Sequence, residues 1–175
     1  MDPGKTRGYL FGTGSFDLRR DYKLYFDIET TSDSSYLSDY GYSGKDRLTS
    51  ELTVSRARRD EYMRATLLNY QSLRDGEDND LLPNLVLDGE FERRYFPTSV
   101  GGEFRLTLEA HSHRRSSDLS TDGNGDGEAD GRDVSRLNGE AAWLRRFTFG
   151  NGLVTDVEAG ASFGLFNIAQ DAVYD

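Results

Sequence analysis

The chain has 175 residues, of which 30% are charged and 35% hydrophobic, and its net charge is −10. An acidic surplus of this size argues against a nucleic-acid partner, because domains that bind nucleic acids carry a basic stripe. The absence of cysteine excludes a disulfide framework and thiol catalysis, and no run approaches the length of about 18 apolar residues that indicates a transmembrane helix.

Eight segments alternate apolar and polar residues with the period of two that is typical of β-strands. In chain order these strands are predicted at residues 9–18, 22–30, 47–58, 61–72, 82–94, 102–113, 134–148 and 153–166. The sixth is the clearest, because Phe104, Leu106 and Leu108 alternate with Arg105 and Thr107. The predicted fold is all-β, an antiparallel up-and-down meander of about eight long strands.

The connections between these strands alternate between short and long. Short turns are predicted at 19–21, at 59–60, around Pro97 and at 150–152, where Gly-Asn-Gly is typical of a hairpin turn with positive φ. Long loops are predicted at 31–46, 73–81 and 114–133. Transmembrane β-barrels alternate in this way, with tight turns on one side of the membrane and long loops on the other.

Strand length and charge favour a segment of a transmembrane outer-membrane β-barrel over a soluble β-sandwich. The predicted strands are longer than the usual five or six residues, and about 9–11 residues cross a bilayer at a tilt of about 45°. Their polar faces are densely charged, which suits a water-filled lumen. A soluble sandwich also alternates apolar and polar residues, so this alternative stays open.

Residues 122–133 match the pattern of a calcium-binding loop. Gly127 falls at the position of the sharp turn, and oxygen-bearing side chains fall at positions 1, 3, 5, 9 and 12, namely Asp122, Asn124, Asp126, Asp130 and Asp133. Position 12 is an aspartate in place of the longer glutamate, and a strand follows in place of a helix. A calcium site and a solvated acidic loop both remain open, and a soluble calcium-binding β-domain is one alternative function.

No group of residues predicts an enzyme. His111 and His113 share one face of a strand, but no third metal ligand has a suitable spacing. Nothing resembles a nucleophile elbow, and the carboxylates of Asp156 and Glu158 are expected to line a wet lumen rather than to transfer protons. The sequence predicts a protein that is not an enzyme and requires no cofactor. Calcium in the acidic loop is the one candidate ligand ion.

The segment TSDSSYLSDYG at residues 31–41 resembles the SD-x-x-YL-x-DY segment in the barrel of the LptD family, the lipopolysaccharide-assembly or organic solvent tolerance proteins. Four further segments keep the order of that family: RLTS at 47–50, YQSLR at 70–74, LPNL at 82–85 and RDVSR at 132–136. The resemblance covers roughly residues 7–170, and its details are similar to alphaproteobacterial members.

The resemblance implies a role in transporting and assembling lipopolysaccharide at the outer membrane of a Gram-negative cell. Its implied partners are lipopolysaccharide, outer-membrane lipids, an LptE-like lipoprotein plug inside the barrel and the periplasmic Lpt bridge that delivers the lipid. Another outer-membrane porin or channel is the alternative that remains within the same fold. No functional residue is carried over, because the family's gate and disulfide positions have no counterpart in this sequence.

The same resemblance predicts that the chain is a middle part of a larger barrel. Residues 1–7 are expected to be an N-terminal extension, 8–167 a partial LptD-like barrel and 168–175 a truncated end. The parent protein would carry a signal peptide that this chain does not show. An isolated piece of this kind is expected to form an open, curved sheet.

Overall fold

A computed structural model describes residues 6–174, which form a single eight-stranded antiparallel sheet. Every strand pairs with its neighbour along the chain, which confirms the predicted all-β meander. The strands are β1 (Tyr9–Asp17), β2 (Tyr22–Thr31), β3 (Arg47–Arg58), β4 (Glu61–Ser72), β5 (Leu85–Tyr95), β6 (Glu103–Arg114), β7 (Asp133–Thr148) and β8 (Val154–Ala169). Within residues 6–174, no helix is both long enough and apolar enough to cross a membrane.

The structure differs from the sequence prediction mainly at the ends of elements. β5 begins at Leu85 instead of residue 82, because Pro83 has no N–H to give to a ladder and restricts the residue before it. β8 continues to Ala169, since β7 begins at Asp133 and these two residues pair. The turn predicted at 19–21 is a 3-10 turn, Arg19–Asp21, and a short helix, α1 (Tyr36–Asp39), was not predicted.

The strand register places one kind of side chain on each side of the sheet. Directly paired residues share a side, and one such row crosses seven strands through Leu24, Val54, Ala65, Gly89, Ala110, Leu137 and Leu165. We call the side of the sheet that carries this row the apolar face. The opposite side, the polar face, carries rows such as Ser55, Arg64, Glu90, Glu109 and Asn138.

Charged residues on the apolar face are confined to the strand ends in the described part of the chain. Near the short turns these are Arg56, Arg58, Glu61, Arg93 and Arg145, and near the long loops they are Arg114 and Asp133. On β8 the residues of this face are wholly apolar from Val157 to Leu165, between Thr155 and Asn167. At about 3.3 Å per residue and a tilt of about 45°, this stretch spans about 21 Å along a membrane normal, close to the apolar band of about 25 Å of outer-membrane barrels.

Among residues 6–174, no second layer packs on the middle of the apolar face. Leu52 is 44% exposed, Phe163 51% and Leu165 61%. The buried hydrophobic cluster of the described residues lies at the ends of strands, where Leu37 of α1 meets Leu48 of β3 and Leu73. A sandwich would bury its apolar face against a second sheet, and this fold does not contain one in residues 6–174.

Gly102, in the turn between β5 and β6, has a backbone conformation and surroundings that leave no room for a side chain. Its φ is +82°, and a Cβ there would meet the backbone oxygen of Leu144 and lie 2.9 Å from the Cβ of Arg145. Gly102→Ala is therefore expected to lower the free energy of unfolding by about 1–3 kcal/mol, measured by chemical unfolding. Gly150→Ala is the control, because that turn glycine has open space around it and no positive φ; equal effects of the two changes would contradict this account.

Candidate functional site

The connections divide the sheet into two unlike ends. One end carries three long loops, which we call the first (32–46), second (73–84) and third (115–132) long loops. The other end, the short-turn end, carries the brief connections between β1 and β2, β3 and β4, β5 and β6, and β7 and β8. This is the alternation that the sequence predicts.

The first and second long loops are joined by ion pairs. Arg74 Nε lies 2.6 Å from Asp46 Oδ2, and Arg47 at the start of β3 donates to both oxygens of Glu77 at 2.9 and 3.0 Å. Hydrogen bonding from Arg74 lowers the pKa of Asp46. The pKa of Glu77 is lowered first by the hydroxyl of Ser72 and then by Arg47. These carboxylates therefore stay ionised and hold the two loops together.

The third long loop continues this network to the end of β8. Ser117 N donates to Asp80 O at 2.9 Å, which ties the third loop to the second. On its other side, Arg132 Nε lies 2.6 Å from Oδ2 of Asp171, whose side chain is 2% exposed. The backbone N–H of Val173 and the guanidinium of Arg132 lower the pKa of Asp171. The long loops thus form one connected layer over their end of the sheet.

The first long loop is anchored by an arginine that precedes β1. Arg7 Nε lies 2.8 Å from Asp33 Oδ2, and the guanidinium stands 5.2 Å from the ring centre of Tyr36 and 5.9 Å from that of Tyr40. The hydrogen bonds from Arg7 hold the pKa of Asp33 well below its usual range. Asp33, Tyr36 and Tyr40 belong to the segment that carries the family resemblance, so this segment builds a folded loop.

Acid is expected to release this anchor only at low pH. Because the folded-state pKa of Asp33 is lowered, the stability that the pair contributes is complete above the unfolded carboxyl pKa of about 3.9 and is lost as the pH falls through the lower folded value. The hydrogen-exchange protection factors of residues 32–46 should stay constant from pH 7 to about pH 5 and fall only below about pH 4. Asp33→Asn should lower them already at pH 7, and a fall between pH 7 and 6 in the unaltered protein would contradict the assignment.

Three of the predicted calcium ligands lie together at the tip of the third long loop. Asp122 Oδ1 accepts a hydrogen bond from Gly125 N at 2.6 Å, and Oδ2 accepts one from Gly127 N at 2.9 Å. These backbone N–H groups lower the pKa of Asp122. Asn124 Nδ2 donates to Asp126 Oδ2 at 3.2 Å, so these two side chains meet, while the carboxylate of Asp122 binds the backbone of the same turn.

The other two predicted ligands have different surroundings. Asp130 is 6% exposed; its Oδ2 accepts from Gly123 N at 3.1 Å, and its Oδ1 has no hydrogen-bond partner among the described residues. Asp133 lies at the start of β7 and accepts from Arg115 N at 3.0 Å. Across residues 6–174, no three acidic or histidine side chains are already arranged to hold a metal ion. The structure therefore brings four of the five residues to one loop tip and leaves the fifth at the strand.

The two histidines lie on the polar face, where His111 lines a cavity of about 470 Å³. His111 Nδ1 is 2.6 Å from Asp88 Oδ1 on β5, and His111 Nε2 is 3.4 Å from His113 Nδ1. The cavity is lined by charged side chains of both signs, among them Arg64 and Glu109. No third metal ligand joins the pair in the described chain, so this region is a charged, water-accessible surface.

One feature of the short-turn end was missed by sequence reasoning. On the apolar face, Glu61 of β4 is 7% exposed and forms ion pairs with Arg56 of β3 and Arg93 of β5. Aromatic residues accompany this group on the same face, including Trp143, whose Nε1 donates to Gly101 O at 2.9 Å. The available signal was a charged residue at the short-turn end of the apolar positions in each of these strands. Each strand read alone does not show that these three residues meet.

Comparison with known proteins identifies the family. The model of the family described as LptD: LPS transport system D matches residues 5–163, which is most of the chain. Searches of curated proteins and of solved structures found no match. The matched family is a transport and assembly family of the outer membrane and not an enzyme family. The chain therefore belongs to the LptD family of lipopolysaccharide transport proteins.

Proposed function

We propose that this chain forms part of the wall of a lipopolysaccharide translocon barrel that inserts lipopolysaccharide into the outer leaflet. Membership of the LptD family indicates lipopolysaccharide transport at the outer membrane, with lipopolysaccharide as the substrate and Lpt proteins as partners in general. The observation that carries the more specific proposal is the apolar face, which is continuous over neighbouring strands, uncovered by protein and free of charge in its middle band.

The chemistry of the two faces supports lipid on one side of the sheet and water on the other. Lipid is favourable for the apolar face and costly for the carboxylates and guanidiniums of the polar face. We therefore place the polar face toward the lumen, where an LptE-like lipoprotein plug would contact it. In lipid, the unpaired edges of β1 and β8 would each leave backbone groups without partners. We therefore infer that further strands pair with both edges, as they would in the middle of a larger barrel.

The two ends of the sheet support an orientation. In outer-membrane barrels the short turns face the periplasm and the longer loops face outward. The layer of joined long loops would then cover the pore on the cell surface, and the short-turn end would face the periplasmic Lpt bridge. The similarity to alphaproteobacterial members stays a prediction.

Depletion of the protein in its own cells tests this function against the porin alternative. A translocon predicts that lipopolysaccharide is lost from the cell surface and accumulates inside, while uptake of small solutes is unchanged. Loss of solute uptake with normal surface lipopolysaccharide would contradict the proposal and favour a porin. Copurification of a lipoprotein from inside the barrel is a second expected result.

Calcium binding by the tip of the third long loop is a second candidate function. The observation that favours it is Asp130 Oδ1, a buried carboxylate oxygen without a partner in the described chain, since leaving such a group unpaired is costly. A hard cation between this oxygen and the side chains of Asp122, Asn124 and Asp126 would satisfy it. The metal would tighten the loop layer and take no part in catalysis.

Calorimetric titration of the purified protein with calcium tests this candidate. We expect a dissociation constant of about 0.1–1 mM, the range of extracellular calcium modules, and at least tenfold weaker binding after Asp126→Ala. Asp75→Asn, which removes an exposed carboxylate of the second long loop, is the control and should bind as the unaltered protein does. Absence of binding, or equal loss in both variants, would contradict the assignment.

A further inference from the structure

The apolar face holds a three-membered ion cluster near the short-turn end, formed by Arg56, Glu61 and Arg93. Glu61 on the central strand bonds to Arg56 Nη2 through one carboxylate oxygen, and its other oxygen lies 3.1 Å from Arg93 Nη1. The side chain of Glu61 is 5% exposed and that of Arg56 14%, whereas Arg93 is 41% exposed. We call these three residues the arginine cluster.

Aromatic rings flank the arginine cluster on both sides. The guanidinium of Arg56 stands 4.4 Å from the ring centre of Tyr22, and that of Arg93 stands 4.9 Å from the ring centre of Tyr95. Tyrosine and tryptophan gather at the level of lipid headgroups, where an apolar ring and a polar tip are both accommodated. The rings therefore place the cluster at the edge of the apolar band rather than in its middle.

The arginine cluster carries more positive charge than its carboxylate neutralises. Two guanidiniums share one carboxylate, which leaves one net positive charge on a face that is otherwise uncharged up to this level. A guanidinium has five N–H donors, and in the described chain each arginine gives one hydrogen bond, to Glu61. Nε of both arginines is buried without a partner there, so each guanidinium keeps N–H groups that no protein acceptor within residues 6–174 satisfies, and the exposed part of Arg93 is open to a ligand.

Fold stability alone does not account for this arrangement. Replacing a buried ion cluster by apolar residues of similar size is often neutral or stabilising, and an apolar edge would suit lipid better. Charged residues that lie within a membrane protein's lipid-facing region usually have a functional partner. An anion at headgroup level would use the surplus charge and the free donors together.

We propose that Arg56 and Arg93 bind the phosphate of an anionic phospholipid in the leaflet on the short-turn side. Guanidinium matches a phosphodiester with two parallel charge-assisted hydrogen bonds, and the acyl chains would lie along the apolar face toward Met63 and Phe91, which follow on the same face. This inference rests on the proposed placement in the membrane. It adds a bound lipid of the periplasmic leaflet, distinct from the transported lipopolysaccharide.

Lipid titration of the purified full-length protein in neutral detergent tests the proposal, with phosphatidylglycerol as the probe. Arg56→Gln combined with Arg93→Gln should weaken the binding of phosphatidylglycerol by about fivefold for each arginine removed. Arg64→Gln, on the polar face of the neighbouring part of β4, is the matched control and should leave affinity unchanged. Unchanged affinity in the double variant, or equal binding of zwitterionic phosphatidylethanolamine, would overturn the proposal.

Glu61→Gln separates lipid binding from a purely structural role. Glutamine keeps hydrogen-bonding capacity but removes the competing negative charge, so affinity for phosphatidylglycerol should rise several-fold. Unchanged or reduced affinity would overturn the proposal. If the double variant does not fold, the affinity of the Glu61→Gln variant alone decides whether the proposal holds. Inorganic phosphate should compete only weakly, since it lacks acyl chains; full competition would assign the site to free phosphate. A protein that transports lipopolysaccharide normally and yet fails these tests would refute only this inference.

Discussion

Replacing Leu108 by arginine is expected to lower the free energy of unfolding by about 2–4 kcal/mol, the cost of a basic side chain at the middle of a lipid-facing barrel surface. Leu108 lies in the middle of β6 on the apolar face, paired with Phe91 on one side and Gly139 on the other. None of its direct neighbours could accept a guanidinium. Chemical unfolding of the protein refolded into phospholipid vesicles measures the effect.

Thr107→Arg is the matched control, because it introduces the same side chain one residue earlier on the opposite face. Thr107 pairs with Glu92 on β5 and Glu140 on β7, so an arginine there would meet two carboxylates. Its free energy of unfolding should stay within about 1 kcal/mol of the unaltered protein. Equal losses at the two positions would contradict the assignment of the faces.

Leu48→Ala is expected to have the second large effect, a loss of about 2–5 kcal/mol. Leu48 is fully buried at the long-loop end, where it packs with Leu37 of the first long loop and with Leu73 at the start of the second. Removing it leaves a cavity that the joined loops cannot easily fill. Faster hydrogen exchange in both loops should accompany the loss measured by chemical unfolding.

Leu52→Ala serves as the control for this substitution, since it deletes the same atoms four residues further along the same strand. Leu52 is 44% exposed on the apolar face, which our proposal places in lipid. The expected cost is about 1–2 kcal/mol, the lost transfer free energy of the deleted atoms without a cavity, because lipid closes around the smaller side chain, and loop exchange should not change. A larger loss at Leu52 than at Leu48 would indicate that the apolar face is packed against protein.

The strands were predictable because their signal is local. Alternation with a period of two predicts strand, face and approximate length from the sequence alone, and β3 and β4 begin and end where they were predicted. Glycine and short polar runs marked the turns, so the meander followed from chain order. The pairing of apolar residues across all strands is then a consequence of register, which the short turns fix.

Side chains that meet from different strands were not predictable in the same way. The arginine cluster joins three strands, and nothing in one strand indicates which residue of the next will lie beside it. Gln71 is a second example, because its side-chain amide binds both N and O of Thr31 two strands away. Leu37 and Leu73 likewise lie in loops without periodicity, so their burial with Leu48 followed only from the folded structure.

The acidic loop was predictable in composition and only partly in geometry. The spacing placed Asp122, Asn124 and Asp126 in one turn of the loop, where Asn124 and Asp126 contact each other. It did not anticipate that Asp133 would bind Arg115 N, because that contact depends on where the loop returns to β7. Asp130 was singled out by its spacing, but its unpartnered oxygen is visible only in the structure.

The central claim is that the apolar face lies in lipid and the polar face in water, and spin labels along β6 test it most directly. The chain has no cysteine, so single cysteines at positions 104 to 111 can each carry one nitroxide in the protein reconstituted in phospholipid. Our account predicts that labels at even positions are reached by lipid-soluble oxygen and those at odd positions by a water-soluble nickel complex, with a period of two. Access of the nickel complex to both sets, or no alternation at all, would contradict it.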